Sequence, residues 1–189
     1  IDCPGSIEFQ QDTTTALAGV DAAVVVCEAD SKKVPALQLI LRQLEDRGIP
    51  HLLFLNKIDK TDSHLRDIIP VLQPASRLPL VLRQIPIWKD GIAVGFIDLA
   101  LERAHVYREH AQSEVVELPN DHLDREHEAR FEMLEKLADY DDELMEQLLS
   151  DIEPPRDKIF EDLRSEFREG KICPVLLGSA ENGNGIFRL

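Results

Sequence analysis

The chain has 189 residues, enough for one large domain or two small ones, and a hydrophobic content of 43% supports a packed core. Its formal net charge is −15, with 20 Asp and Glu against 7 Lys and Arg in residues 111–170. Such acidity repels a phosphate backbone and argues against direct, sequence-specific nucleic-acid binding, and no apolar run reaches membrane-spanning length.

The three cysteines, Cys3, Cys27 and Cys173, are scattered and odd in number, the usage of reduced thiols in a cytoplasm. The histidines make no metal set: His105/His110 and His122/His127 are each five apart, which is not the spacing of a helical zinc pair. The acidic helical stretch is either solvated surface or a dock for a basic partner.

The chain opens Ile1-Asp2-Cys3-Pro4-Gly5 without a Met, and Ile1 reads as the last residue of a buried strand, so an excised fragment is expected. Asp2–Gly5 spells D-x-P-G and begins a loop. If a strand precedes it, Asp2 is placed to hold Mg²⁺ through water, and Gly5 lets a backbone N–H approach a terminal phosphate.

Residues Asp21–Ala29 form a buried strand by composition, β-branched at Val24, Val25 and Val26. A helix then starts at Pro35, carries Leu37, Ile40, Leu41 and Leu44 on one face, and closes at Gly48. A second buried strand follows at Leu52–Leu55, completing a βαβ unit. Directly after it the chain turns polar through Asn56-Lys57-Ile58-Asp59, then Lys60, Asp62 and Ser63, with a further helix over Ser63–Leu72. In an open parallel sheet ligands bind beyond the C-terminal ends of the strands, which is where this N-K-x-D lies.

An ionised Asp59 is acceptor-only and takes two hydrogen bonds side by side. Guanine offers N1–H and an exocyclic amine on one edge; adenine does not. A carboxylate left without those donors rejects the wrong base by roughly 10⁴ or more in sites of this kind. Lys57 can lay its methylene stem on a flat base, and Asn56 can tie neighbouring loops together. The alternative reading is a polar turn in a charged protein.

A third strand of the same type is Pro174–Leu177, ending in Gly178-Ser179-Ala180. Residues 56–173 intervene, far more than a crossover needs, so something is inserted. Leu80–Trp88 and Ile92–Leu99 flank the hairpin signal Asp90-Gly91, and Arg103–Tyr107 and Ser113–Leu118 read as further strands. Three helical stripes follow: Phe131, Leu134 and Ala138; Leu144, Met145, Leu148 and Leu149; Phe160, Leu163 and Phe167. Pro154-Pro155 separates the last two, Gly170 ends the third, and Asn182–Gly185 is a loop.

D-x-P-G, N-K-x-D and G-S-A in this order, each after a buried strand, resemble the translational GTPases. The long insert, with Arg83–Ile87, Gly95–Leu99, Asp141–Met145 and Pro174–Ala180, narrows the resemblance to the latter part of the GTP-binding domain of bacterial elongation factor G or a G-like paralogue. It covers essentially the whole chain. The resemblance implies an α/β fold, a truncated P-loop NTPase-type sheet of three parallel strands whose first strands and P-loop are missing. Residues 1–75 with 172–189 would form the partial GTP-binding domain, and 76–171 an α+β insert like the family's G′ subdomain. It implies GTP or GDP with Mg²⁺ as cofactors. Asp2 would serve the metal, and Pro4 and Gly5 the γ-phosphate loop. Asn56, Lys57 and Asp59 would read guanine, with Ser179 and Ala180 reaching the base O6 through a backbone N–H. The partners implied are the ribosome and, through the insert, its acidic stalk protein, although the insert is itself acidic.

Two features depart from the family. Ser6 stands where a histidine normally orients the attacking water; a hydroxyl is shorter and carries no positive charge. Slow hydrolysis, or a different water-positioning group, is the expectation. No G-x-x-x-x-G-K-[ST] occurs in these residues, so weak GTP binding by the chain alone is expected. Three readings follow: a piece of a ribosome-associated GTPase, a GTP-binding switch or ribosome-docking module with little or no hydrolysis, or a folded docking fragment. An unpaired sheet edge makes a dimer an expected form in crystals.

Overall fold

The computed structural model describes residues 1–60, 65–108, 110–117 and 123–189. Asp62, Ser63, Leu118 and His122, all named above, lie outside the described residues. Among the described residues no helix is long and apolar enough to cross a membrane.

The lead-in to the first strand contains a helix that no motif marks, α1 (Gln10–Ala16), tied to the next helix by Gln43 Nε2 donating to Thr14 Oγ1 at 2.9 Å. The strand β1 (Ala23–Glu28) then runs to Asp30, whose side chain accepts from Lys32 N at 2.9 Å and starts the turn into α2 (Val34–Glu45). Leu37, Leu41 and Leu44 are the buried face of α2, while Ile40, expected in that stripe, is exposed. Gly48 takes φ +63° and returns the chain to β2 (His51–Asn56). Leu53, Phe54 and Leu55 of β2 are buried, as a central strand requires.

Two more strands, β3 (Leu80–Leu82) and β8 (Cys173–Leu177), complete the parallel sheet. It has four strands rather than three, in the order β1–β2–β8–β3. The helix α3 (Leu65–Leu72) precedes β3. The run Leu80–Trp88, which reads as one strand, is divided by Arg83. The Arg83 N–H donates to Val175 O of β8 at 3.0 Å, and its carbonyl accepts from Leu99 N at 3.0 Å. One extended segment thus serves two sheets, and nothing in its apolar pattern marks the switch.

Past Arg83 the insert is an antiparallel meander: β4 (Gln84–Lys89), β5 (Ile92–Asp98), β6 (Arg103–Arg108) and β7 (Ala111–Val116). Asp90 and Gly91 have φ of +53° and +79°, the double left-handed turn that a D-G hairpin demands. Three helices follow: α4 (Leu123–Ala138), α5 (Asp142–Leu149) and α6 (Arg156–Arg168). Asp141 caps α5 by accepting from Glu143 N and Leu144 N. The expected stripes are partly displaced. Leu134, Ala138, Leu144 and Leu163 are buried, but Phe131, Leu149 and Phe160 are exposed, and Met133, Leu137 and Ile159 fill the core instead.

Two apolar clusters result. One joins the parallel sheet to α2 and α3, with Trp88, Ala93 and Tyr107 of the insert packed on it. The other holds the meander against α4, α5 and α6. Between them the Asp98 carboxylate, buried, takes Arg83 Nη2 at 3.1 and 3.3 Å and the N–H groups of Ala100 and Leu101 at 3.1 Å. One face of the edge strand β1 is open, leaving Val24 and Val26 exposed where burial on both faces was expected.

Candidate functional site

Two loops leave the C-terminal ends of neighbouring strands and are stitched to each other. Gly178 N donates to Leu55 O at 3.0 Å, and Ile58 N donates back to Gly178 O at 3.2 Å. Asn56 Oδ1 accepts from Lys57 N at 2.9 Å and from Ala180 N at 2.8 Å, so one side chain ties the N-K-x-D loop to the G-S-A loop. Gly178 is required there, because a Cβ would lie 2.2 Å from Asn184 O and 2.5 Å from Phe54 Cζ. Ser179 and Asn184 exchange two backbone bonds, of 3.0 and 2.9 Å, which close the second loop.

Asp59 stands in a 3₁₀ turn (Ile58–Lys60) that directly follows β2. It is half-buried. Its Oδ2 accepts a long bond from Asn182 Nδ2 at 3.4 Å, whereas Oδ1 is buried with no hydrogen-bond partner among the described residues. A buried carboxylate oxygen without a donor is costly, of order 1–3 kcal/mol or more, and native proteins rarely tolerate one without a use for it. A ligand edge with two adjacent donors fits this carboxylate.

Lys57 adopts a left-handed φ of +60°, and its ammonium lies 2.5 Å from Glu28 Oε1 at the end of β1. That hydrogen bond, with the charge behind it, holds the Glu28 carboxyl below its ordinary range. Lys60 pairs with Glu181 at 2.6 Å across the same two loops, which raises its own pKa. Ser179 is buried and Ala180 exposed, and the Ala180 N–H points to Asn56.

Asp2, Pro4, Gly5 and Ser6 are exposed in the non-helical lead-in to α1. Nothing within 4 Å would meet a Cβ at Gly5. The bonds that stitch the two loops together involve none of these four residues. The expected residues therefore form one assembled group and one separate one. An exposed carboxylate such as that of Asp2 suits Mg²⁺ in its usual protein mode, with most ligands from water and substrate phosphate. No cluster of three or more metal-ligating side chains exists among the described residues.

The motifs miss Asn182, which hydrogen-bonds Asp59, and Tyr107, which feels its charge. In the sequence Asn182 reads only as loop, and Tyr107 as part of a strand. Tyr107 packs on the core of the parallel sheet, and its hydroxyl is buried without a hydrogen-bond partner among the described residues. Burial, and then the charge of Asp59, push its phenol pKa upward. Grooves of about 310 and 450 Å³ lie elsewhere, the first lined by Leu52, Arg83, Phe160, Leu176 and Arg188 among others, and none of the expected site residues lines either.

A parallel sheet with two loops gathered at its carboxyl end, and an antiparallel unit inserted between them, is the architecture of a G-type nucleotide-binding domain carrying a subdomain. The family model described as "Elongation factor Tu GTP binding domain" matches residues 1–189, and the chain belongs to that family. It is 43% identical over 186 residues to an elongation factor G-like protein of Synechocystis sp., covering 98% of this chain and 28% of the relative. It is 33% identical over 188 residues to elongation factor G 1 of Borreliella burgdorferi, covering 98% and 27% respectively. A crystal structure of a Thermus thermophilus protein superposes with a TM-score of 0.77 at 25% identity, over 99% of this chain and 28% of that one. The chain thus spans little more than a quarter of the relatives' length.

Proposed function

We propose that this chain is the guanine-reading part, with its inserted subdomain, of a ribosome-associated translational GTPase of the elongation factor G kind, working in the cytoplasm. The observation that carries the reading is Asp59 Oδ1, buried and with no hydrogen-bond partner among the described residues, on a carboxylate held between two stitched loops. Such a group matches the N1–H and 2-amino edge of guanine and offers nothing to adenine. Asn56 locks the loop geometry, and the Lys57 stem flanks the base plane while its head stays on Glu28. Ser179 and Ala180 face the O6 side. For Ala180 this means sharing its N–H with Asn56, or exchanging it.

In this reading the phosphates and Mg²⁺ lie toward Asp2, Pro4 and Gly5, and a cradle elsewhere in the longer protein supplies most phosphate affinity. Bound Mg²⁺ would supply charge neutralisation at the phosphates. Ser6 would contact the hydrolytic water as a neutral hydroxyl, which makes intrinsic turnover slow. The insert, residues 76–171 in sequence terms, would meet the ribosome and its stalk protein, using basic or apolar spots within its acidic surface. A GTP switch with little hydrolysis is the second reading, and the observation that favours it is Ser6.

The test is made on the longer protein that contains this chain. Titration with fluorescent GDP, competed by ADP, measures base reading, and single-turnover GTP hydrolysis with and without ribosomes measures the activity. Selective GDP binding with ribosome-stimulated hydrolysis is expected. GDP binding without hydrolysis in either condition would favour the switch, and equal affinity for GDP and ADP would overturn the guanine reading.

A further inference from the structure

The insert reaches the base-reading loops through the hairpin between β6 and β7. Its register slips at Tyr107: Val106 pairs with Glu114 and Arg108 with Ala111, so Gln112 and Ser113 share the place opposite Tyr107. An irregularity of this kind twists a strand and re-aims a side chain. Tyr107 is braced by Phe96, with ring centroids 5.7 Å apart, and Phe96 in turn stacks on His105 at 4.8 Å. The tyrosine ring lies between the meander and the core of the parallel sheet, on which it packs.

The same hairpin makes a second connection. His110, at φ +50°, donates its backbone N–H to Asn182 O at 3.0 Å. Gly183 lies so close that a Cβ there would sit 3.2 Å from His110 Cα. Asn182 in turn donates to Asp59 Oδ2. One hydrogen-bonded route thus runs from this hairpin to the Asp59 carboxylate, through His110 and Asn182, and Tyr107 of the same hairpin packs on the cluster that holds Ile58, the residue before Asp59.

Two buried polar atoms here lack partners among the described residues, the Tyr107 hydroxyl and Asp59 Oδ1. One is a donor and the other an acceptor, and the Asp59 charge acts on the Tyr107 phenol. Leaving both unsatisfied is expensive, and a hydrogen bond between them would relieve both at once. We infer that Tyr107 is a positioning residue for base recognition: its hydroxyl, delivered by the β6–β7 hairpin, orients the Asp59 carboxylate so that both oxygens meet the guanine edge. The inference rests on the guanine reading above. It gives the insert a part in nucleotide specificity, beyond docking.

The experiment uses the longer protein and compares GDP with IDP, which lacks the 2-amino group and so engages the carboxylate through N1–H alone. Dissociation constants come from competition against a fluorescent guanine nucleotide. Wild type should prefer GDP over IDP clearly, and Tyr107→Phe should narrow that ratio about fivefold or more at an unchanged melting temperature. A tyrosine that merely packs would leave the ratio untouched, since phenylalanine keeps the ring. Tyr107→Leu, which also lacks the hydroxyl, carries the same expectation should the phenylalanine variant fold poorly. In an Asp59→Asn background the Tyr107→Phe change should no longer alter the ratio. A GDP/IDP ratio within twofold of wild type in the Tyr107 variants overturns this inference alone. A wild type that does not distinguish GDP from ADP overturns the guanine reading, and this inference with it.

Discussion

Glu166 on α6 should make the chain less stable as pH rises through neutrality. Its side chain is almost fully buried, and Oε2 has no hydrogen-bond partner among the described residues. Burial first, and then the Asp162 carboxylate one turn earlier, push the Glu166 carboxyl up to about 8 from 4.5, against the opposing pull of Lys171. The folded state therefore keeps the proton over a range in which the unfolded chain has released it. Bound protons then favour folding at low pH, and stability is lost as pH climbs from the unfolded value through the folded one. At about 1.4 kcal/mol per pH unit, the full span corresponds to roughly 5 kcal/mol as a ceiling. Relaxation around the charge and partial hydration reduce this to about 2 kcal/mol. Urea unfolding followed by circular dichroism between about pH 5 and pH 8.5 measures the slope in wild type and in Glu166→Gln. Glutamine cannot ionise, so the variant should lose most of the slope and exceed wild type in stability at the alkaline end. Parallel profiles for the two proteins would refute the reasoning.

Other expectations follow from the same contacts. Gly178→Ala drives a methyl into Asn184 O and Phe54 and should cost about 1–3 kcal/mol in urea unfolding; a loss below about 0.5 kcal/mol would mean the loops are not so closely packed. Asp98→Ala leaves the largely buried Arg83 side chain without its carboxylate and should cost about 2–4 kcal/mol, read as a lowered denaturation midpoint. A midpoint unchanged from wild type would show that the junction between the sheets does not depend on the pair. Ser6→His in the longer protein should speed GTP hydrolysis on ribosomes by placing a larger, chargeable group beside the water. Turnover no faster than wild type would show that another group positions it.

The parts of the fold legible in the sequence are those written in local chemistry. Asp90-Gly91 announces its hairpin because few other residues take two left-handed conformations in succession, and Leu53–Leu55 announces a central strand by being apolar at every position. Arg83 is illegible as a junction, because a strand that changes sheets keeps one apolar pattern throughout and the switch is decided by Val175 and Leu99, remote in sequence. The helical stripes mislead for a related reason. Phe131 and Phe160 look like core residues by size, yet Phe160 lies at the surface beneath the Arg83 guanidinium, 5.9 Å from its ring centroid. In the site, the meeting of the Asn56 loop with the Ser179–Ala180 loop is readable, because both follow apolar strands of one parallel sheet. Tyr107 and Asn182 carry no such signal, since Asn182 meets Asp59, and Tyr107 meets the core of the parallel sheet, only through contacts remote in sequence.

The most direct measurement is the base preference of the longer protein before and after Asp59→Asn. An asparagine keeps one acceptor for N1–H but turns an amide donor toward C2, where guanine carries an amine and xanthine a carbonyl. The account predicts that the variant loses roughly 10²-fold or more in GDP affinity and gains affinity for XDP, with its melting temperature nearly unchanged. Retention of wild-type GDP affinity without any gain for XDP would contradict it.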